Sequence, residues 1–124
     1  MIWSNLPVSD LKRTTKFYTE LGFKHDGNSK ELTSFFVGEN DFVIHFFLKH
    51  TFKTIIKGEI TDSQNENEVL FTLSAESKDQ VNNWLKEVER AGGKIISKPA
   101  EFGKGYYGFV FADPDGHKFN VFYM

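Results

Sequence analysis

Cysteine is absent from the 124-residue chain, which excludes disulfides, thiolate zinc sites and cysteine nucleophiles. A reducing, cytoplasmic setting is the expectation that follows. No apolar run approaches the ~18 residues a membrane helix needs. The opening Met1-Ile2-Trp3-Ser4-Asn5 also lacks the basic start and apolar core of a signal peptide, so no membrane partner is expected. Neither sign of charge dominates: 15 Lys and Arg stand against 17 Asp and Glu, for a net charge of −2. A nucleic-acid footprint would be strongly basic, and nucleic acid is therefore excluded as a partner. Phenylalanine, in contrast, is abundant, with 14 in the chain. Two uses fit it, a core packed with rings or the apolar lining of a ligand cavity. The length suits one domain, spanning residues 1–124, with enough core to fold without staples.

Periodicity divides the chain into two similar halves. Residues 2–8 alternate and predict a strand. Ser9 and Asp10 supply an N-cap to a helix with Leu11, Thr14, Phe17, Tyr18 and Leu21 on one face, stopped at Gly22. Strands are expected at 23–25, 32–37 and 42–48, with turns at Asp26-Gly27-Asn28 and at 38–41. Residues 49–67 are mixed and polar, and predict a partly mobile connection. The order then repeats: a strand at 68–73, a helix from Ser77 with Val81, Trp84, Leu85 and Val88 on one face, a stop at Gly92-Gly93, and strands at 94–97, 106–112 and 118–123. A β-α-β-β-β plan occurring twice, at a period of roughly 65 residues, makes half-repeats of 1–48 and 68–124. The fold class expected is α+β, two βαβββ modules forming a curved, mixed eight-stranded sheet with helices on the convex side.

Strand alternation assigns residues to the two sheet faces. Leu6, Val8, Ile44, Phe46, Val69, Phe71, Leu73, Phe119 and Val121 should face the helices. Trp3, Asn5, Pro7, His45, Phe47, Glu68, Leu70, Thr72, Asn120 and Phe122 should face the other way, where a binding surface or simply solvent would lie. No Ser-His-Asp arrangement, phosphate-cradling glycine loop or HExxH pattern is present. Gly103-Lys104-Gly105 suits a flexible cavity edge, and Tyr106 and Tyr107 after it either close over a ligand or fill the rim. His117 is expected at the surface, and His25 and His50 show no partner at ligand spacing.

Two segments go beyond pattern. Asn5-Leu6-Pro7-Val8-Ser9-Asp10-Leu11 with Phe17-Tyr18-Thr19-Glu20-Leu21-Gly22-Phe23 resembles the "V-x-D-L…F-Y-x-x-L-G-F" opening of vicinal-oxygen-chelate domains, the glyoxalase and bleomycin-resistance superfamily. Phe111-Ala112-Asp113-Pro114-Asp115-Gly116 through Val121 is similar to that superfamily's closing "D-P-D-G-x-x-x-E-[VL]". The resemblance spans essentially the whole chain and implies a homodimer that binds a small molecule. In metal-dependent members four strand residues, usually His and Glu, hold a divalent ion that stabilises an anionic intermediate. The matching positions here are Trp3, His45, Glu68 and Asn120. Indole nitrogen is a donor only and cannot ligate, and an amide oxygen is a weak neutral ligand. The metal set implied is thus incomplete, with His45 and Glu68 its only good donors, and no cofactor is expected.

The leading expectation is a metal-independent small-molecule binding protein of the bleomycin-resistance type. Trp3, Phe47, Leu70, Tyr107 and Phe122 would offer apolar or stacking surface, and Asn5, His45, Glu68 and Asn120 hydrogen bonds. The alternative is a divergent lyase, isomerase or dioxygenase using Zn, Ni, Mn or Fe on His45 and Glu68. A third possibility is catalysis without metal, with His45 as general base near Glu68.

Overall fold

A computed structural model describes residues 1–38 and 42–124, so the turn expected at 38–41 lies outside the described residues beyond Gly38. The elements run β1 (Ser4–Val8), α1 (Leu11–Glu20), β2 (Lys24–Asn28), β3 (Leu32–Val37), β4 (Phe42–Leu48), α2 (Lys49–Ile56), β5 (Leu70–Ser74), α3 (Lys78–Ala91), β6 (Lys94–Glu101), β7 (Tyr107–Ala112) and β8 (Lys118–Tyr123). The chain forms two compact units, Met1–Thr61 and Asp62–Met124. The fold is α+β, two βαβββ modules. Each unit carries one four-stranded sheet, ordered β1-β4-β3-β2 in the first and β5-β8-β7-β6 in the second. In both, the first strand pairs parallel with the fourth, and the remaining pairs are antiparallel.

In the first unit the capping chemistry sets the helix. The Asp10 carboxylate accepts from Arg13 N at 3.0 Å, satisfying one of the orphan donors of the first turn. Beyond Leu21 the chain turns at Gly22, φ +91, where Phe23 N donates back to Tyr18 O at 3.1 Å. Helix α1 buries Phe17 and Tyr18 against the sheet, with Tyr18 stacked on Phe46 at 4.5 Å between ring centroids and 5.7 Å from Phe35. Val8 and Ile44 complete this core. Truncating Phe46 to alanine there would cost about 3–5 kcal/mol.

The second unit repeats the device with other residues. Ser77 caps α3 by accepting from Gln80 N at 3.0 Å, and Gly92 ends it at φ +92. Val81 and Val88 pack toward fully buried Phe109, Phe111, Phe119 and Val121. Phe119 stacks on both Phe71 and Phe111 at 5.3 Å.

Four expectations need correction. The connection, expected as a mixed polar segment, opens with a helix, α2, whose residues Thr51 and His50 both contact the Glu31 carboxylate, the latter at 3.0 Å. Its last part is anchored too, by the closing turn described below. Asp26-Gly27 is not a turn but a bulge inside β2, where the pairing slips between His25 and Gly27. Glu68 and Val69 precede β5 instead of opening it, and Val69 is exposed.

Candidate functional site

The open face of the first sheet, away from α1, gathers the polar side chains that alternation placed there. β1 pairs with β4 so that Asn5 stands opposite His45, and β3 pairs with β4 so that Ser34 stands opposite His45 from the other side. Directly opposed side chains have Cβ atoms about 4.5–5.5 Å apart. The imidazole therefore sits between an amide and a hydroxyl. Its ring lies 6.0 Å from the Trp3 indole, tilted by 41°, and 6.0 Å from Phe47, edge to face. Trp3 is 47 % exposed, so part of its surface remains open to solvent. Ser34, nearly fully buried, donates to Asp26 Oδ2 at 3.3 Å. Its proton is thus committed to a carboxylate and not aimed at the imidazole, which is not the arrangement of an activated nucleophile. Asp26 and Ser34 were not foreseen. The bulge puts Asp26 on this face, and bulges next to a Gly at positive φ (Gly27, φ +123) are the signal that could have found it.

In the second unit the corresponding face carries Leu70, Thr72, Asn120 and Phe122, with Thr72 opposite Asn120 and Gly108 opposite Phe122. Phe122 is stacked under Tyr106 at 5.5 Å and 16°. Its ring also covers Gly108, where a Cβ would come within 3.1 Å of Phe122 Cδ2 and 2.4 Å of Val121 O. Leu70 is exposed, and Glu68 lies exposed in the approach to β5. Tyr107, expected to offer ligand surface together with Phe122, projects instead to the α3 side, where its hydroxyl donates to Asn82 Oδ1 at 2.8 Å. The alternation of Tyr107 with Phe109 and Phe111 already contained that answer. Lys78 lies 5.5 Å from the Tyr107 ring centroid and donates to Glu101 at 2.6 Å. That hydrogen bond, and then the opposite charge, holds the exposed Glu101 carboxyl below its ordinary range and raises Lys78 above its own.

The closing Asp-Pro-Asp-Gly motif is structural. Asp113 Oδ1 accepts from Asp115 N and His117 N, both at 2.9 Å, while Gly116 N donates to Asp113 O at 3.0 Å. The connection then clasps the turn from outside. Ser63 Oγ donates to Asp115 O at 2.5 Å, Gln64 Nε2 to Pro114 O at 2.9 Å and Asn67 Nδ2 to Gly116 O at 3.0 Å. His117, expected at the surface, is buried in this knot.

Among the described residues no three His, Cys, Asp or Glu side chains gather closely enough to share a metal ion. Beside His45 stands Trp3, whose indole N–H is a donor only. These residues do not fit a metal centre of His and carboxylate donors.

Comparison with known proteins gives the following. The family model described as "Glyoxalase/Bleomycin resistance protein/Dioxygenase superfamily" matches residues 2–121. No curated protein matches significantly. Among solved structures, a hypothetical protein from S. aureus is similar at 27 % identity and a TM-score of 0.88, covering 100 % of this chain and 93 % of that one. A glyoxalase-related enzyme from Fulvimarina pelagi shares 20 % identity at a TM-score of 0.88, over 100 % and 88 % of the two chains. A lactoylglutathione lyase from Agrobacterium tumefaciens shares 19 % at 0.72, over 99 % and 92 %. The latter two likenesses are of fold.

Proposed function

This chain belongs to the glyoxalase/bleomycin resistance protein/dioxygenase superfamily, and from that premise we propose that it is a small-molecule binding protein working without a catalytic metal. One observation carries the reading: at the position where the superfamily resemblance implies a metal ligand, Trp3 instead lays an indole 6.0 Å from His45. A half-exposed ring beside an imidazole, flanked by Asn5 and Ser34, makes a stacking platform with hydrogen-bonding groups at its edge. That chemistry suits a flat, partly apolar ligand. Phe47 extends the apolar surface. In the second unit Leu70, Asn120 and Phe122 offer a similar mixture, with Tyr106 as a cover for Phe122.

The test is a thermal-shift screen of planar small molecules, followed by titration of the hits against Trp3 emission. Trp3→Ala should weaken a hit by about 1–3 kcal/mol through lost stacking and buried area. His45→Gln should cost about 1 kcal/mol, one net hydrogen bond. Hits that bind both variants as well as the parent protein would refute the site. Stoichiometric metal that survives dialysis and is lost in His45→Ala would refute the metal-free reading. We read the working form as a cytoplasmic homodimer. Exposed Ile2, Val69, Leu70 and Phe102 support that assembly by leaving apolar surface to be covered, and a monomer mass by light scattering would overturn it.

A further inference from the structure

A second groove, of about 350 Å³, lies on the opposite side of the first sheet, between α1 and the outer strands. Leu11, Lys12, Thr15 and Lys16 line it from α1, His25 and Asn28 from β2, and Thr33 from β3. Its floor is a chain of hydrogen bonds: Thr15 Oγ1 donates to Thr33 Oγ1 at 2.8 Å, and His25 Nε2 lies 3.1 Å from the same oxygen. Thr33 is fully buried.

The second unit has a groove at the corresponding place with a different lining, which includes Leu85, Glu89, Ile95 and Pro99. His25 pairs with Phe35 just before the β2 bulge, and Ile95 pairs with Phe111 just before the β6 bulge. Two residues away on the next strand, Thr33 therefore matches Phe109. Where the second unit has Ile95 and Phe109, the first has an imidazole and a buried hydroxyl. The exchange puts a polar network in place of apolar packing: the buried Thr33 hydroxyl is satisfied by Thr15 and His25 at the groove floor.

Charge adds a separate argument. Lys12 and Lys16 are one turn apart on α1, a like-charge spacing that destabilises a helix. Lys12 lies in the first turn of α1, where the helix dipole also disfavours a cation and no acidic residue stands. The one ion pair of Lys16 is with Glu20 at 3.9 Å, between exposed side chains, and Lys12 has none among the described residues. No carboxylate lines this groove, whereas Glu89 lines its counterpart on α3. An anion in the groove would relieve the repulsion and accept from two ammonium groups, the Asn28 amide and His25.

We propose that this groove binds the phosphate group of a small phosphorylated molecule, at a site separate from Trp3 and His45. Ammonium, amide and imidazole donors, drawn from helix and strand, suit a tetrahedral dianion that accepts from several directions better than a planar carboxylate. The probe is inorganic phosphate, titrated into the whole protein and followed by amide shifts in two-dimensional NMR. Saturable shifts should centre on Thr15, His25, Asn28 and Thr33, with a midpoint on the order of millimolar. The Lys12→Gln, Lys16→Gln double variant, altered only at exposed side chains, should weaken binding about tenfold or more, and Thr33→Val should weaken it as well. Trp3→Ala should leave it unchanged, so that loss of one site is told from loss of the other. Shifts that do not saturate, that chloride or acetate reproduces equally, or that survive the double lysine substitution would overturn the proposal.

Discussion

Replacing Gly116 by alanine should destabilise the second unit by about 3–5 kcal/mol. Two separate costs enter. The residue sits at φ +93, where a Cβ alone costs about 1–2 kcal/mol. The second cost is contact: that Cβ would lie 2.4 Å from Ser63 O, 2.6 Å from Ser63 C and 2.8 Å from Gln64 N. These are backbone atoms, so no rotamer change relieves them, and the connection must move off the turn. Moving it breaks the bonds from Ser63, Gln64 and Asn67 to the carbonyls of residues 114–116, each worth about 0.5–1.5 kcal/mol net. Gly92 provides the control. Its φ is +92 and its Cβ would meet nothing within 4 Å, so Gly92→Ala carries the backbone cost without the clash. Urea denaturation of both variants, with unchanged m-values, measures the difference. Equal losses at the two glycines would refute the idea that the connection is clasped to the turn. A double variant with Asn67→Ala should be less than additive, because Gly116→Ala has already broken that bond.

Tyr107→Phe should cost about 1 kcal/mol of stability, for the hydroxyl bonded to Asn82, and leave small-molecule binding at Trp3 untouched; a binding defect would return Tyr107 to the ligand site. The Lys78–Glu101 pair gives a pH signature of known sign. The lowered carboxyl pKa stabilises the fold above the ordinary carboxylate range and loses its contribution as pH falls through the lowered value, while the raised lysine pKa loses its own in strong alkali. The melting-temperature gap between the parent protein and Glu101→Gln should therefore be small, widest between those limits and reduced by salt. A gap that grows in acid would contradict the assignment.

Where local rules and tertiary packing agree, the sequence was enough. Asp10 and Ser77 cap their helices, Gly22 and Gly92 end them, and the phases of Val8, Ile44, Phe46, Phe119 and Val121 put these side chains in the two cores. The failures occur where a distant partner decides. Helix α2 has no side-chain cap of its own, and its first turn is held by Glu31, 19 positions before His50 and 20 before Thr51. His117 is polar by type but buried, because Asp113 folds the backbone around it. Asp26-Gly27 has turn composition, yet β3 recruits it into a bulged strand. Of the candidate site, the neighbourhood of Trp3 and His45 follows from alternation, whereas Ser34 and Asp26 depend on cross-strand register, which a period-two pattern does not specify.

The parallel pairing of first and fourth strands has a consequence for the order in which the chain can fold as it is synthesised. In each unit the fourth strand is internal to the sheet, with the first strand on one side and the third on the other. The strand made last is therefore central, not a late addition to an edge. The first unit has all its strands once Leu48 has emerged, after which β1 and β4 can pair. The second waits for β8, and until then β5 has no partner and β7 pairs only with β6. During that interval Phe71 and Phe111 lack the Phe119 ring that joins them in the finished core. The nascent second unit is thus the span most exposed to wrong strand pairing, and a chain cut just before Lys118 would lose the middle of a sheet while leaving every residue of the first unit in place.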